Sequence, residues 1–286
     1  MSIQSRLTDF LNKYTVELHS PKSSTVEYRE WIAADYEDTF NENYKKYPQF
    51  LEYYKKRPIK YYINKQNFRS KTDFEPNKDK KLNIVIGCSH TFGIGLHWEH
   101  TWPVILNKQL NTDFINLGIP GGCMEASYIT LKRFIDMYDV QNVFHLQPVY
   151  ARYLVFNNSK LVSFISIQEN IFKLLRFFFT ENYIKSLFHD PDYMVYSHIK
   201  HLENIKYICQ ERNIPYFYSS SLPKKIPPGH HSLSTLPKDE LAEQKESWKH
   251  DILARDLSHP SFHANKEVAE KFYTYFKNYP KGFSKL

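Results

Sequence analysis

The stretch Leu82-Asn83-Ile84-Val85-Ile86-Gly87-Cys88-Ser89-His90-Thr91-Phe92-Gly93 decides the fold. Leu82 to Ile86 is a short, β-branched apolar run that closes on Gly87, the pattern of a strand buried on both faces of a parallel sheet. The residues that follow place Ser89 on the turn from that strand into a helix, at the edge of the sheet. A serine hydroxyl is a weak nucleophile until a neighbouring base takes its proton. At such a turn the hydroxyl is exposed, and its own backbone N–H can be aimed at a developing oxyanion. By itself the pattern Gly-x-Ser-x-Thr also suits a serine that only shapes a turn.

Downstream, the same alternation repeats. Thr101 to Leu110 reads as a helix with Pro103 in its first turn, where a missing N–H costs nothing. Phe114 to Leu117 is a second strand closed by Gly118, and Met124, Tyr128, Leu131, Ile135 and Tyr138 form one face of a helix. Val143 to Leu146 is a third strand; Ile199, Leu202, Ile205 and Cys209 mark a helix, and Pro215 to Ser219 a fourth strand. Ala264, Val268, Phe272 and Phe276 line a last helix. Strands alternating with helices predict an α/β fold, a parallel sheet between two helical layers. Such sheets bind ligands beyond the carboxyl ends of their strands.

Two zones break this rhythm. Residues 1–80 are rich in Tyr and Lys and end in the polar run Pro76 to Lys81. Their helical candidates are Ser5 to Tyr14, and Val26 to Tyr54 with a break at Pro48. They read as a helical or irregular extension packed onto a main domain of residues 81–286. Within that domain, Val155 to Tyr196 carries a dense apolar run expected to form inserted helices near the carboxyl edge. These either enlarge the core or make a lid over a pocket, since pockets are mostly apolar.

Composition narrows the function. The 286 residues carry 38 Lys+Arg against 31 Asp+Glu, a net charge of +7, which favours anionic partners in general. The basic residues are scattered, however, and no nucleic-acid module signature appears, so no nucleic-acid partner is expected. Three cysteines without a Cys-x-x-Cys pair suit a reducing compartment rather than a disulfide scaffold. Arg6, Asp9 and Lys13 interrupt the apolar positions of the first segment, against a signal peptide. Leu161 to Phe179 is broken by Gln168, Glu169, Asn170, Lys173 and Arg176, against a membrane span. The expectation is a cytoplasmic protein without a membrane partner; its oligomeric state is left open. Of 13 histidines, His90, His97 and His100 cluster and His230-His231 are adjacent, but none has a zinc spacing, so no metal or other cofactor is expected.

The second chemical element is Ala254-Arg255-Asp256-Leu257-Ser258-His259-Pro260, just before the last helix. An Asp three residues before a His in a loop can face Nδ1 and leave Nε2 free for a hydroxyl. Pro260 keeps a helix from running through His259. Read alone, the stretch equally allows Asp256 or Ser258 to be a helix cap. The nucleophile elbow of the α/β-hydrolase class does not fit, because Thr91 stands where its second glycine belongs.

Taken together, Gly87-Cys88-Ser89-His90-Thr91, Asn116-Leu117-Gly118-Ile119-Pro120-Gly121 and Asp256-Leu257-Ser258-His259-Pro260 occur in an order that resembles the SGNH (GDSL-like) serine hydrolases. Tyr62-Ile63-Asn64-Lys65-Gln66-Asn67-Phe68-Arg69 and Thr101-Trp102-Pro103 add to a resemblance that covers roughly residues 62–276. It implies a three-layer α/β/α sandwich with a parallel, flavodoxin-like sheet. It also implies Ser89 as nucleophile and first oxyanion-hole donor, Gly121 (or Gly118) as second donor, His259 as general base and acid, and Asp256 as its orienter. The chain departs from the family where Cys88 replaces an Asp before the serine, which leaves Cys88 as an alternative nucleophile. The Gly-x-Asn-Asp block after the third strand is also missing. In its place stands Leu146-Gln147-Pro148-Val149-Tyr150-Ala151-Arg152. There Gln147 is the candidate side-chain oxyanion donor and Arg152 the candidate contact to an anionic or carboxylate-bearing substrate. His90 is the other candidate substrate-binding residue. The activity implied is hydrolysis of an ester, with O-acetyl groups on a carbohydrate or other small molecule as the leading substrate. An O-acyltransferase using the same triad, or a non-catalytic carbohydrate-binding relative, are the alternatives.

Overall fold

In the computed structural model, which describes residues 26–148 (Ala33 apart), 152–157, 160–165, 191–220 and 252–279, the chain enters through a small antiparallel pair. Strand β1 (Glu27–Arg29) pairs with β2 (Tyr61–Ile63), and between them lie helices α1 (Glu37–Lys46) and α2 (Pro48–Lys56). The break expected at Pro48 is present, with this proline in the first turn of α2. Helix does not extend back to Val26, however. Glu27–Arg29 is taken up by pairing with Tyr61–Ile63, and the residues between β1 and α1 turn to bring Asp35 inside. The helix expected over Ser5 to Tyr14, and His230 and His231, lie outside the described residues.

The main sheet has four parallel strands: β3 (Asn77–Gly87), β4 (Phe114–Gly118), β5 (Tyr138–Gln147) and β8 (Tyr216–Ser220), in the order β4-β3-β5-β8. Along β3 the side chains alternate, so Leu82, Ile84 and Ile86 join one apolar cluster and Val85 the other. On the first face pack α5 (Met124–Phe134) and α6 (Pro191–Glu211), through Leu131, Phe134, Ile205 and Cys209 among others. On the second face pack α4 (Trp102–Leu110) and α7 (Phe262–Asn278), with Trp102 stacked on Phe272 and Phe144 on Phe217. A mixed α/β architecture with helices on both faces of a parallel sheet is what burying both faces of such strands requires. The helix expected to reach Tyr138 stops at Phe134. A 3-10 turn (Ile135–Met137) follows, and Tyr138 opens β5, where alternate burial replaces the helical period.

The residues expected to begin an inserted helical region form instead a β-hairpin, β6 (Arg152–Asn157) with β7 (Lys160–Ile165). Both runs are rich in β-branched and aromatic residues, and this local preference for strand prevails. Residues 166–190 of that zone lie outside the described residues, and α6 resumes at Pro191. No helix among the described residues is long and apolar enough to cross a membrane.

The register levels the sheet's carboxyl edge. Gly87 pairs with Gly118 and with Leu146, and Leu146 with Ser219. The four segments that leave the sheet therefore start from one line. Between β3 and β5 the chain changes direction of growth, since β4 lies to one side of β3 and β5 to the other. That is the place where open α/β sheets form a crevice.

Candidate active site

Gly87 ends β3, Cys88 is extended, and Ser89 opens the one-turn helix α3 (Ser89–Phe92), which closes on Gly93 in the left-handed conformation. Ser89 is thus carried at the end of the central strand, 4% exposed. Helix α3 is held from two sides. Asn116 of β4 donates through Nδ2 to the Thr91 carbonyl at 2.8 Å. Arg69, buried, donates to the carbonyls of Phe92, Gly93 and Leu96, and burial lowers its guanidinium to about 10. Within the stretch Asn64 to Arg69, the Asn64 and Arg69 side chains are therefore scaffolding. Asn64 Oδ1 accepts from the backbone N–H groups of Gln66 and Phe68, which folds the turn that delivers Arg69.

Across the crevice, Asp256 Oδ2 lies 2.5 Å from His259 Nδ1. Ser258 Oγ donates to the same carboxylate oxygen, and Ser258 N–H to Oδ1 at 3.4 Å. Burial pushes the Asp256 carboxyl up, but the charge of His259 and the hydrogen bonds from His259 and Ser258 outweigh it, so the group stays below the usual carboxylate range. Leu257 supports the geometry from a left-handed conformation (φ 54°). Such a backbone is uncommon away from glycine and is retained here beside the Asp–His pair.

A cavity of about 430 Å³ joins the two halves. Ser89, Gly121, Arg152 and His259 line it together with Arg29, Ile32, Tyr36, Ile63 and Asn67 of the front segment. Ser89 and His259 thus share one cavity, and Asp256 holds His259 from outside its lining; no hydrogen bond joins Ser89 to His259 among the described residues. Gly118 is excluded as an oxyanion donor, because its N–H donates to Asn116 Oδ1 at 2.9 Å. Gly121 faces the cavity at φ +71°, and a Cβ there would meet nothing within 4 Å. His90 sits edge-to-face on His259, ring centroids 5.8 Å apart, and is not among the residues that line the cavity.

Gln147 is the displaced candidate. It ends β5, but it is not among the cavity-lining residues, and its Oε1 accepts from His198 of α6 at 3.4 Å. The bond holds the amide by its oxygen only; what separates Gln147 from the proposed oxyanion role is its place outside the cavity lining. Among the described residues no group of three or more His, Cys, Asp or Glu is placed to hold a metal ion. His97 stacks on Tyr54 and His100 on Phe262. Cys88, Cys123 and Cys209 are free thiols, all buried, and burial pushes Cys123 and Cys209 up to about 12.

Sequence reasoning missed the clasp behind the Asp–His loop. Arg255, 1% exposed, donates from Nε and Nη2 to the Asp35 carboxylate at 2.7–3.1 Å and from Nη2 to the Glu30 carbonyl. Its guanidinium lies 3.7 Å over the Trp31 ring. Tyr61 donates to Asp35 at 2.6 Å and accepts from Gly95 N–H, while Arg255 N–H donates to Gly95 O. Asn43 and Tyr54 add bonds to the carbonyls of Asp256 and Leu253. The front segment is therefore both a wall of the cavity and the anchor of the loop. The signal for it was Arg255 beside the Asp–x–x–His stretch; nothing local in the sequence identified its partner.

No protein-family model and no curated protein matches the chain.

Proposed function

We propose that the chain is a serine esterase of the SGNH type, with a flavodoxin-like α/β/α sandwich and a Ser89–His259–Asp256 triad. The observation that carries this reading is the Asp256–His259 pair at 2.5 Å facing the same cavity as a serine at the end of the central strand. The strand order supports it, because β4-β3-β5-β8 is the flavodoxin-like order of four strands.

In this reading Ser89 Oγ attacks the ester carbonyl and its proton passes to His259 Nε2. The Ser89–His259 contact tightens once substrate is bound, as catalytic hydrogen bonds often do. Asp256 keeps Nδ1 protonated and steadies the imidazolium. The backbone N–H groups of Ser89 and Gly121 receive the oxyanion. His259 then protonates the departing alcohol, and water repeats the sequence on the acyl-enzyme. The cavity size is in the range of small-ligand pockets. Tyr36, 56% exposed at the cavity, offers a ring face to a sugar, which supports an O-acetylated carbohydrate as substrate.

The test is labelling with a fluorophosphonate probe and turnover of 4-nitrophenyl acetate by wild type and Ser89→Ala. Wild type is expected to be labelled at Ser89 and to turn over, and Ser89→Ala to lose at least about 10⁴-fold in kcat. A wild type that neither labels nor turns over sinks the hydrolase reading in favour of a binding module. Acetyl delivery to an added sugar in preference to water selects the acyltransferase.

A further inference from the structure

Two guanidinium groups, Arg29 of β1 and Arg152 of β6, line the cavity from separate elements. No carboxylate lies among the described lining residues. Of the nearby acids, Asp256 pairs with His259 and Asp35 with Arg255, while Glu27 pairs with Arg29 itself at 2.8 Å, which leaves Arg152 the main cation of the cavity and Arg29 a lesser one. Arg152 spends one donor on the Gly122 carbonyl at 3.4 Å, a long bond, and its Nε is buried with no partner. Asn67, on the same cavity, has a buried Oδ1 with no partner. Buried polar atoms are nearly always satisfied, so orphans grouped on one cavity mark what a ligand supplies. The missing complement is an acceptor with negative charge at Arg152 and a donor at Asn67.

We propose that this cavity selects esters that also carry a carboxylate, held by Arg152 with Arg29 in support, with a hydroxyl of the same molecule donating to Asn67. The inference rests on the esterase reading for its substrate class, but the anion site stands on its own geometry. Arg152 follows β5, across the crevice from Ser89 after β3, so a carboxylate held there belongs to the molecule whose ester reaches Ser89. A planar guanidinium receives a carboxylate through two parallel bonds, and such charged contacts are about twice as strong as neutral ones. Salt weakens them, less so inside a cavity.

Two matched pairs of esters distinguish a carboxylate on the alcohol side from one on the acyl side. The first is 4-acetoxybenzoate against 4-acetoxybenzamide; the second is 4-nitrophenyl hemisuccinate against 4-nitrophenyl butyrate. Wild type is expected to favour the anionic member of at least one pair in kcat/KM by about 10-fold or more. Arg152→Gln lowers that anionic-to-neutral ratio by about 10-fold, Arg29→Gln by less, and Arg152→Lys restores part of it. Equal ratios in wild type, or ratios unchanged in both Gln variants, overturn the proposal. Arg152→Lys keeps the charge and so reads the ratio even where Arg152→Gln does not fold. If no ester is turned over, the esterase reading fails and the anion site is judged by calorimetry. Ser89→Ala binding 4-acetoxybenzoate more tightly than 4-acetoxybenzamide upholds it, and equal or absent binding overturns it.

Discussion

At the scale of single residues, Asp256 is an ionised acid buried beside His259, and its worth is visible in pH. Its carboxyl sits below the usual range, so it favours the folded state above the unfolded carboxylate value and loses that contribution as pH falls through the lower folded value. Wild type is therefore expected to lose melting temperature more steeply than Asp256→Asn between about pH 5 and pH 2, read by thermal denaturation. At neutral pH the same substitution should lower kcat by about 10³- to 10⁴-fold, since an amide presents the wrong partner to Nδ1. Gly95 is a second test. Its φ is +74°, and a Cβ would stand 2.8 Å from Asp256 Oδ1 and 3.0 Å from Arg255 N. Gly95→Ala is expected to cost about 1–3 kcal/mol in chemical denaturation and to reduce turnover without removing a functional group. The Asp256–His259 pair was legible because the two residues are three positions apart, and the place of Ser89 because it directly follows the run Leu82 to Gly87. Gln147 was placed correctly at a strand end, yet the direction of its amide depends on where α6 lays His198.

At the scale of elements, β3, β4, β5 and β8 were legible because buried parallel strands write themselves as apolar runs closed by turn residues. The hairpin β6–β7 was not, because a short apolar run fits a buried helix as well as a strand. The clasp between the front segment and the Asp–His loop was hidden for another reason. Asp35 and Arg255 mean little until the fold brings them together. Burial pushes the Asp35 carboxyl up, against the pull of Arg255 and Tyr61, so desolvation offsets much of the attraction. The pair fixes position more than it adds stability. Asp35→Asn is expected to destabilise by about 3–5 kcal/mol, because it leaves Arg255 buried and uncompensated. Asp35→Leu combined with Arg255→Met should cost less than the sum of the two single changes, a non-additivity that urea titrations would measure. Simple additivity would mean that the pair is not coupled.

At the scale of the whole molecule, the sheet and its carboxyl edge came from the sequence pattern, whereas the shape of the cavity did not. Nearly half of its described lining is front segment, including Arg29, Ile32, Tyr36, Ile63 and Asn67. The sequence marked that zone only as Tyr- and Lys-rich, and its aromatic residues turn out to pack as a core of their own, with Leu51, Tyr54 and Tyr61 against Leu253 and Leu257. The contacts that finish the site thus join the two ends of the chain.

The Asp35–Arg255 clasp spans 220 positions of sequence. A chain searching for its native form must close that long loop, and contacts of such separation form slowly because entropy is lost before they reward it. The β3–β4 and β3–β5 pairings and the helices between them close much shorter loops. Refolding from denaturant should therefore restore far-ultraviolet circular dichroism before it restores turnover of 4-nitrophenyl acetate, with coincident recovery as the contrary result. On the proposed reading, Ser89 would be in place before the loop of Asp256 and His259 is clamped by Asp35 and Arg255.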